Sequence, residues 1–405
     1  MTTGVAVSKL GVYIQLIPDL EKMRNFLLTF RPRIIKSMQP NPDLLGGWPS
    51  DYNPLVIGRK YFDRQELKNP RGVARSIVDG GWGRAVGDGL VHAMELYNEI
   101  KPHDGAKWRY VEWQLEAVDE LAKYNIPYIA DNWSVGNPSE LDADGNMVYY
   151  EDSRVHELLA HPNTKYLAVH EYDAPAMWDN RGFDPPYDDK WDYLESGWLV
   201  LRYRKIRKQL EAHMRLEDIP PFLITECGID GGAPPSWDPG GVQGGGGYHS
   251  FCSIDSYLEQ LLWYDWHLRQ DDYVEGATPF LLGGNDDWVS FDLWPDRELY
   301  GQAIRSVGYT DTSFDDWLAG TVPDFSIPFV PENYIERMGL SMGWIPVSDE
   351  TVVSVPEDHR SKTLATHITV KVFVARAVVG GFWTKKIVWW NLGKWTNYKV
   401  IEVPL

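Results

Sequence analysis

Cysteine is scarce: the chain of 405 residues has two, Cys227 and Cys252. Two thiols cannot build a disulfide framework, and no Cys/His cluster has zinc-ligand spacing, so neither device is expected to hold the fold together. Apolar runs as long as a membrane span, about eighteen residues, are missing as well, which argues against membrane insertion. The opening "MTTGVAVSKLGVYIQLIP" lacks a basic stretch followed by a long apolar core and a small-residue cleavage site. No secretion signal is therefore expected in it, a soluble chain is, and the compartment stays open. Positive charge is in short supply too, with 39 Lys and Arg against 58 Asp and Glu and a net charge of −19. Nucleic acid and anionic membrane surfaces would repel such a chain at long range, leaving neutral or cationic partners.

Aromatic residues, by contrast, are plentiful, with 19 Trp and 22 Tyr. Several Trp fall in Gly-, Pro- and Asp-rich stretches that read as loops: Trp133, Trp178, Trp191, Trp237, Trp288 and Trp294. A flat ring suits the C–H face of a sugar, and it equally suits capping a core; composition alone leaves both open.

Eight short apolar runs recur along the chain. They are "GVYIQLI" from Gly11, "RIIKSM" from Arg33, "PLVIGR" from Pro54, "HAMELYN" from His92, "IPYIADN" from Ile126, "YLAVHEY" from Tyr166, "FLITE" from Phe222 and "ATPFLLGG" from Ala277. Helical patterns lie between most of them. The one from Trp108 puts Trp108, Val111, Leu115, Val118 and Leu121 on one face, the 3.6-residue period of a helix packed on a sheet. "RGVARSIVDGGWGRAV" from Arg71 reads as one further helix, whereas "QPNPDLLGGWPSDYN" is too short and too rich in Pro and Gly for a full crossover helix. Alternating strands and helices imply parallel pairing, and eight repeats imply closure, so the fold class is α/β, a (β/α)8 TIM barrel over residues 1–320.

Beyond the eighth run the pattern changes. A helix-like piece at Ser313–Leu318 and the Pro-containing "GTVPDFSIPFVPEN" precede "ATHITVKVFVARAVV", "FWTKKIVWW" and "NYKVIEV". These three predict an antiparallel meander, so residues 321–405 read as a linker and a small C-terminal β-rich appendage. Packing on the barrel, covering a partner and self-association are all roles such an appendage could take.

In a barrel of this kind reacting groups sit at the C-terminal ends of strands. The residues there are Asn98 and Glu99 after run four, Asp131, Asn132 and Trp133 after run five, His170 and Tyr172 after run six, Glu226 after run seven, and Asn285 and Trp288 after run eight. Glu99 and Glu226 end strands that face each other across a closed barrel. Paired carboxyl groups are what glycoside hydrolysis needs, one to protonate the leaving oxygen and one to attack the anomeric carbon. Taken singly, a Glu at a strand end is more often a solvated surface charge. Glu95 is expected to point into the helix layer in a buried ion pair, Cys227 to be a small core residue, and Asp142–Met147 to form a turn rather than a calcium loop. "PPSWDPGGVQGGGGYHS" from Pro234 reads either as a loop able to close over substrate or as slack.

Glu95-Leu96-Tyr97-Asn98-Glu99 resembles the E-x-x-N-E strand-four signature of the large clan of (β/α)8 retaining glycoside hydrolases that includes the cellulase and β-xylosidase families. "LITECGIDGG" from Leu223 is similar to that clan's strand-seven segment, and "HEY", His170 to Tyr172, to its H-x-Y on strand six. In order and topology the likeness spans residues 10–320; its residue matches are confined to those three stretches. It implies a retaining β-glycosidase acting on a neutral or weakly cationic polysaccharide or oligosaccharide, with neither cofactor nor metal. Glu99 would be the acid/base, Glu226 the nucleophile and Asn98 a contact to the sugar 2-hydroxyl. Tyr172 would donate to Glu226, and His170 would orient that region or touch substrate. Asn132, Trp133 and Trp288 are the further substrate-binding candidates.

The sequence also departs from the clan. Ile100 follows the acid/base Glu where the clan has Pro, and the cellulase family's strand-two Arg is absent, with Lys36 on run two and Arg59 on run three as imperfect substitutes. These departures and the terminal β appendage motivate the alternative, a catalytically decayed barrel serving as a carbohydrate-binding or structural module of a surface assembly or virion.

Overall fold

The computed structural model describes residues 8–100, 105–143, 145–174, 176–177, 197–231 and 246–306, together with the backbone of five strands between residues 344 and 402. The apolar runs become β1 (Val12–Ile14), β2 (Ile34–Ser37), β3 (Leu55–Arg59), β4 (Ala93–Glu95), β5 (Tyr128–Trp133), β6 (Thr164–Asp173), β7 (Phe222–Ile229) and β8 (Val274–Pro279). Each pairs in parallel with its successor. The ring closes where Leu10 bridges Ala277 and Ile14 bridges Leu282, with Gly11 N–H donating to Ala277 C=O at 2.6 Å and Leu282 N–H to Tyr13 C=O at 2.7 Å. Glycine is required in this seam: a Cβ on Gly276, which has φ +157°, would stand 2.3 Å from the Lys9 carbonyl oxygen. This is the (β/α)8 barrel that the repeating pattern predicts.

Its interior is filled from below by one side chain from each of six successive strands: Ile34, Ile57, Ala93, Ile129, Ala168 and Leu223, all buried. Branched residues dominate the layer, and Ala at two places makes room for the larger neighbours. The floor is therefore solid, and chemistry is confined to the open mouth at the strands' C-terminal ends.

Local sequence sets the helix boundaries. Asp19 accepts from Lys22 N–H to start α1 (Leu20–Phe30), Asn41 and Pro42 start the single turn α2 (Pro42–Leu45), and Asn69 with Pro70 starts α3 (Pro70–Val78). The Asp79-Gly80-Gly81 step then breaks what reads as one helix, and α4 (Gly81–Gly87) is separate. The ring continues with α5 (Ala106–Ala122), α6 (Ser153–Leu159), α7 (Arg202–His213) and α8 (Ile254–Gln270). It is completed by α9 (Arg297–Ser306), which the sequence pattern did not predict. Tyr300 on α9 donates to the Gly11 carbonyl at 2.5 Å, and Gly301 lets Phe30 of α1 approach so closely that a Cβ would sit 2.2 Å from its ring.

The predicted turn at Asp142–Met147 carries a Leu141–Met147 bridge and a 2.8 Å hydrogen bond from Asn146 N–H to Asp142 Oδ1. Among the described residues no helix is long and apolar enough to cross a membrane. The chain divides into two compact units, residues 1–251 with 260–309, and residues 252–259 with 310–405. The second contains a five-stranded antiparallel sheet: β9 (Trp344–Pro346), β10 (Thr351–Ser354), β11 (His367–Ala375), β12 (Thr384–Asn391) and β13 (Lys394–Glu402). The last three are the predicted strands; β9 and β10 both pair with β11 and are too short to leave a periodic signal. The predicted helical piece at Ser313–Leu318, the Pro-containing stretch after it, Pro102, Trp178, Trp191, Trp237 and most of the glycine-rich stretch from Pro234 lie outside the described residues.

Candidate active site

The long strand β7 runs to the barrel mouth and carries Glu226 inward, 5% exposed, into a ring of donors. Its Oε1 lies 3.2 Å from Lys36 Nζ of β2 and 3.0 Å from Arg59 Nη1 of β3. The Tyr172 hydroxyl of β6 donates to Oε2 at 3.1 Å. Burial alone would push this carboxyl up. The positive charges of His170 when protonated, of Lys36 and of Arg59, with the hydrogen bond from Lys36, outweigh burial and hold it well below the ordinary carboxylate range. Burial also keeps the Tyr172 phenol protonated, as a donor should be, with the field of Glu226 acting in the same direction.

Lys36 is fully buried and shared: besides Glu226, it meets Glu95 Oε2 at 2.9 Å and the Thr225 carbonyl at 3.2 Å, and its ammonium lies 4.4 Å from the Tyr13 ring centre. Glu95 therefore points into the barrel, not into the helix layer as expected; the predicted buried ion pair exists, on the opposite side of the strand. Arg59 also donates to the Tyr13 hydroxyl at 2.9 Å. Two cations from adjacent strands, Lys36 and Arg59, thus flank Glu226 Oε1. Either charge alone would leave a carboxylate, Glu95 or Glu226, poorly compensated in a dry interior.

Glu99 lies on the far side of the mouth, its side chain 38% exposed. The two glutamates are linked by the buried ring of His170, whose Nδ1 is 2.8 Å from Glu99 Oε1 and 3.5 Å from Glu226 Oε2. Either the ring N–H donates to a carboxylate oxygen, or a protonated Glu99 donates to the ring nitrogen. One polar atom each of Glu99, His170 and Glu226 all fall within 4.8 Å of one another. Next to Glu99, Asn98 Oδ1 is buried and has no hydrogen-bond partner among the described residues, and His170 Nε2 is in the same state. Unpaired polar atoms at a cleft are what a hydroxyl-bearing ligand would satisfy.

The other candidates are distributed differently. Trp288, half-buried in the turn after β8, meets the Phe280 ring at 5.2 Å; Phe280 in turn meets Tyr13 at 5.2 Å and Tyr172 at 6.5 Å. Trp288 thus continues the aromatic wall that backs Glu226. Asn132 comes near the pair through its backbone: its carbonyl accepts from Glu99 N–H at 2.8 Å, while its buried side chain accepts from Thr225 Oγ1 at 3.2 Å. Trp133 is not brought to the site. It is 2% exposed, with its ring edge-on to Tyr110 at 5.1 Å and Tyr149 at 5.3 Å, which leaves no face for a sugar. Tyr13 and Phe280 were not singled out in the sequence, although Tyr13 lies within β1 and Phe280 directly follows β8, aromatic positions in apolar runs that could have found them. Cys227 points away from Glu226 and is buried, and burial pushes its thiol up, out of reactive range.

Glu99, His170 and Glu226 together have the donor types of a cation site, but the surroundings do not fit one. Both oxygens of Glu226 already accept hydrogen bonds, and Lys36 and Arg59 beside Oε1 would repel a second positive ion.

No family model and no curated protein matches the sequence. Among solved structures the chain is similar to a GH128 endo-β-1,3-glucanase from Amycolatopsis mediterranei in complex with laminaritriose, at 12% identity over 74% of this chain and 99% of that one, TM-score 0.42. It is similar to CJP38, a β-1,3-glucanase and pollen allergen of Cryptomeria japonica, at 14% identity over 71% and 96%, TM-score 0.46. A family 51 α-L-arabinofuranosidase from Bifidobacterium longum is similar at 9% identity over 95% and 83%, TM-score 0.42. Barrels host many chemistries, so likeness at this level assigns no substrate to this chain.

Proposed function

We propose that the chain is a retaining β-glycosidase that hydrolyses β-linked glycan chains, with Glu226 as nucleophile and Glu99 as acid/base. The observation that carries this reading is the pair itself. One oxygen of each glutamate lies within 4.8 Å of the other, a close approach compatible with the roughly 5–5.5 Å separation of the carboxyl groups in a double-displacement site. The environments are unequal in the required sense. Glu226 is buried among cations and held ionised, fit to attack; Glu99 is partly open to solvent, where a leaving group departs and a water arrives.

In the first step the Glu226 carboxylate attacks the anomeric carbon while Glu99 gives its proton to the departing oxygen. In the second, Glu99 takes a proton from water, and the resulting hydroxide displaces Glu226. Lys36, Arg59 and the Tyr172 hydroxyl fix the nucleophile's orientation, and Asn98 Oδ1 is placed to accept from a sugar hydroxyl. The reading is tested by screening a panel of β-glucans, xylans and mannans for hydrolysis and following the first-formed anomer by proton NMR. Release of the β-anomer supports it, and initial release of the α-anomer contradicts it.

Of the three motives for the decayed-barrel alternative, the missing strand-two Arg is weakened by Lys36 and Arg59, which lie at 3.2 and 3.0 Å from Glu226 Oε1. The other two, Ile100 in place of Pro after Glu99 and the terminal β appendage, remain. Tight glycan binding without turnover would favour it.

A further inference from the structure

Glu99 does not sit on a strand. β4 stops at Glu95, and Glu99 itself adopts φ +54°, a left-handed conformation that a non-glycine residue keeps only where its surroundings impose it. On one side the constraint is the hydrogen bond from Glu99 N–H to the Asn132 carbonyl. On the other it is a side chain from the segment between β3 and α3. Gln65 Nε2 donates to the Asn98 carbonyl at 2.8 Å, and Gln65 Oε1 accepts from Asn98 N–H, so that one primary amide grips both backbone groups of the residue before Glu99. The same segment is anchored nearby, with the Tyr97 hydroxyl donating to the Glu66 carbonyl at 3.0 Å and the Phe62 ring edge-on to Tyr97 at 5.3 Å. Tyr97 in turn stacks on Trp113 of α5 at 4.4 Å.

We propose that Gln65 is a positioning residue for Glu99: by clamping the Asn98 backbone it holds the carboxyl against His170 and at its distance from Glu226. The kinetic consequence rests on the glycosidase reading; the placement of Glu99 does not. Gln65 is exposed, so its replacement leaves the core intact.

Two measurements on the full chain test the proposal. The first is the nitrogen NMR signal of His170 Nδ1 in histidine-labelled wild type, Gln65→Ala and Glu99→Gln. The Gln65→Ala signal should move most of the way to that of Glu99→Gln, because in both the Glu99 contact is lost. The second is kcat/KM for a β-glycoside with an alcohol leaving group against its 2,4-dinitrophenyl counterpart. Gln65→Ala should lose roughly tenfold to a hundredfold on the first, which needs a placed acid, and less than about threefold on the second, which does not. Gln65→Glu, which can still accept from Asn98 N–H but opposes the Asn98 carbonyl, should fall between. An unchanged His170 signal in Gln65→Ala overturns the proposal, as does an equal loss on both leaving groups. If the wild type turns over neither glycoside, the glycosidase reading fails, and the NMR comparison still decides whether Gln65 places Glu99.

Discussion

Two neighbouring strands bury carboxyl groups on opposite faces, with opposite results. On the inner face of β7, Glu226 is held well below the ordinary carboxylate range. On the outer face of β6, Glu171 is pushed up to about 7, and Asp131 on β5 to about 6. In each, burial is the largest influence and acts upward. Glu171 accepts from the Tyr264 hydroxyl at 2.5 Å, Leu201 N–H at 2.7 Å and Tyr203 N–H at 2.9 Å, and Asp131 from the Tyr149 hydroxyl at 2.7 Å and Gln114 Nε2 at 3.2 Å. Those neutral donors do not undo burial. Of these three carboxyls, Glu226 alone has two cations within 3.2 Å, Lys36 and Arg59, with His170 beside it, and this sets it apart from Glu171 and Asp131, whose hydrogen-bond donors are neutral.

The contrast breaks most visibly if Glu226 loses its charge. Glu226→Gln should lower kcat/KM on any cleaved glycan by on the order of a thousandfold or more while the far-UV circular dichroism stays that of the wild type. Turnover within tenfold of wild type would remove Glu226 from the chemistry.

A second test removes the shared cation. Lys36→Met leaves Glu95 and Glu226 facing each other in a dry interior, and should cost about 3–5 kcal/mol in urea unfolding. It should also raise the acidic limb of the kcat/KM profile, since the nucleophile then protonates at a higher pH. An acidic limb that does not move would mean that Arg59 and His170 hold Glu226 ionised without Lys36.

The two faces should also give stability opposite pH dependence. Glu171 and Asp131 have folded values above their unfolded ones, so their contribution is complete below about pH 4 and is lost as pH rises through about 6 and 7. Glu226 has a folded value below its unfolded one, and its contribution is complete above the unfolded value and lost as pH falls through the folded one. Stability should therefore peak in mildly acidic solution and fall by a few kcal/mol from pH 5 to pH 8. In Glu171→Gln the fall should be shallower; an identical slope would mean that Glu171 is ionised in the folded chain throughout.

The smallest effect sharpens the comparison from below, where neither set of charges reaches. Ile57→Val in the barrel floor should cost about 1 kcal/mol of stability and leave kcat/KM unchanged.

The barrel was legible because its signal is repeated. Eight apolar runs spaced by amphipathic segments constrain one another, so the irregular second unit did not hide the closure. Single features without repetition were less legible. The break at Gly80 depends on two glycines inside a pattern that otherwise continues, and α9 follows a loop whose Trp and Asp residues obscure its start. The site was partly legible for a related reason: Glu99, His170, Tyr172 and Glu226 lie in short local segments that can be read in isolation. Glu95 was misplaced because counting alternate faces between it and Glu99 assumes an unbroken strand, and Trp133 because a residue at a strand end is expected to face the mouth. Positive φ at Asp131 (76°) and Asn132 (60°), with the pairing shift between Asp131 and Trp133, turns Trp133 outward, and β4 ends at Glu95, so the count to Glu99 has no meaning. Gln65 left no sequence signal at all, since its grip on Asn98 exists only once the segment after β3 has been placed beside β4.

The most direct test is covalent trapping with 2-deoxy-2-fluoro β-glycosides of glucose, xylose and mannose that carry a dinitrophenyl leaving group. These slow both displacement steps but allow the first. Mass spectrometry of the digested protein should find one fluorosugar on the peptide that contains Glu226, and none after Glu226→Gln. Labelling of a different carboxylate, or failure of the wild type to be inactivated by a fluorosugar whose polymer it cleaves, would contradict the account.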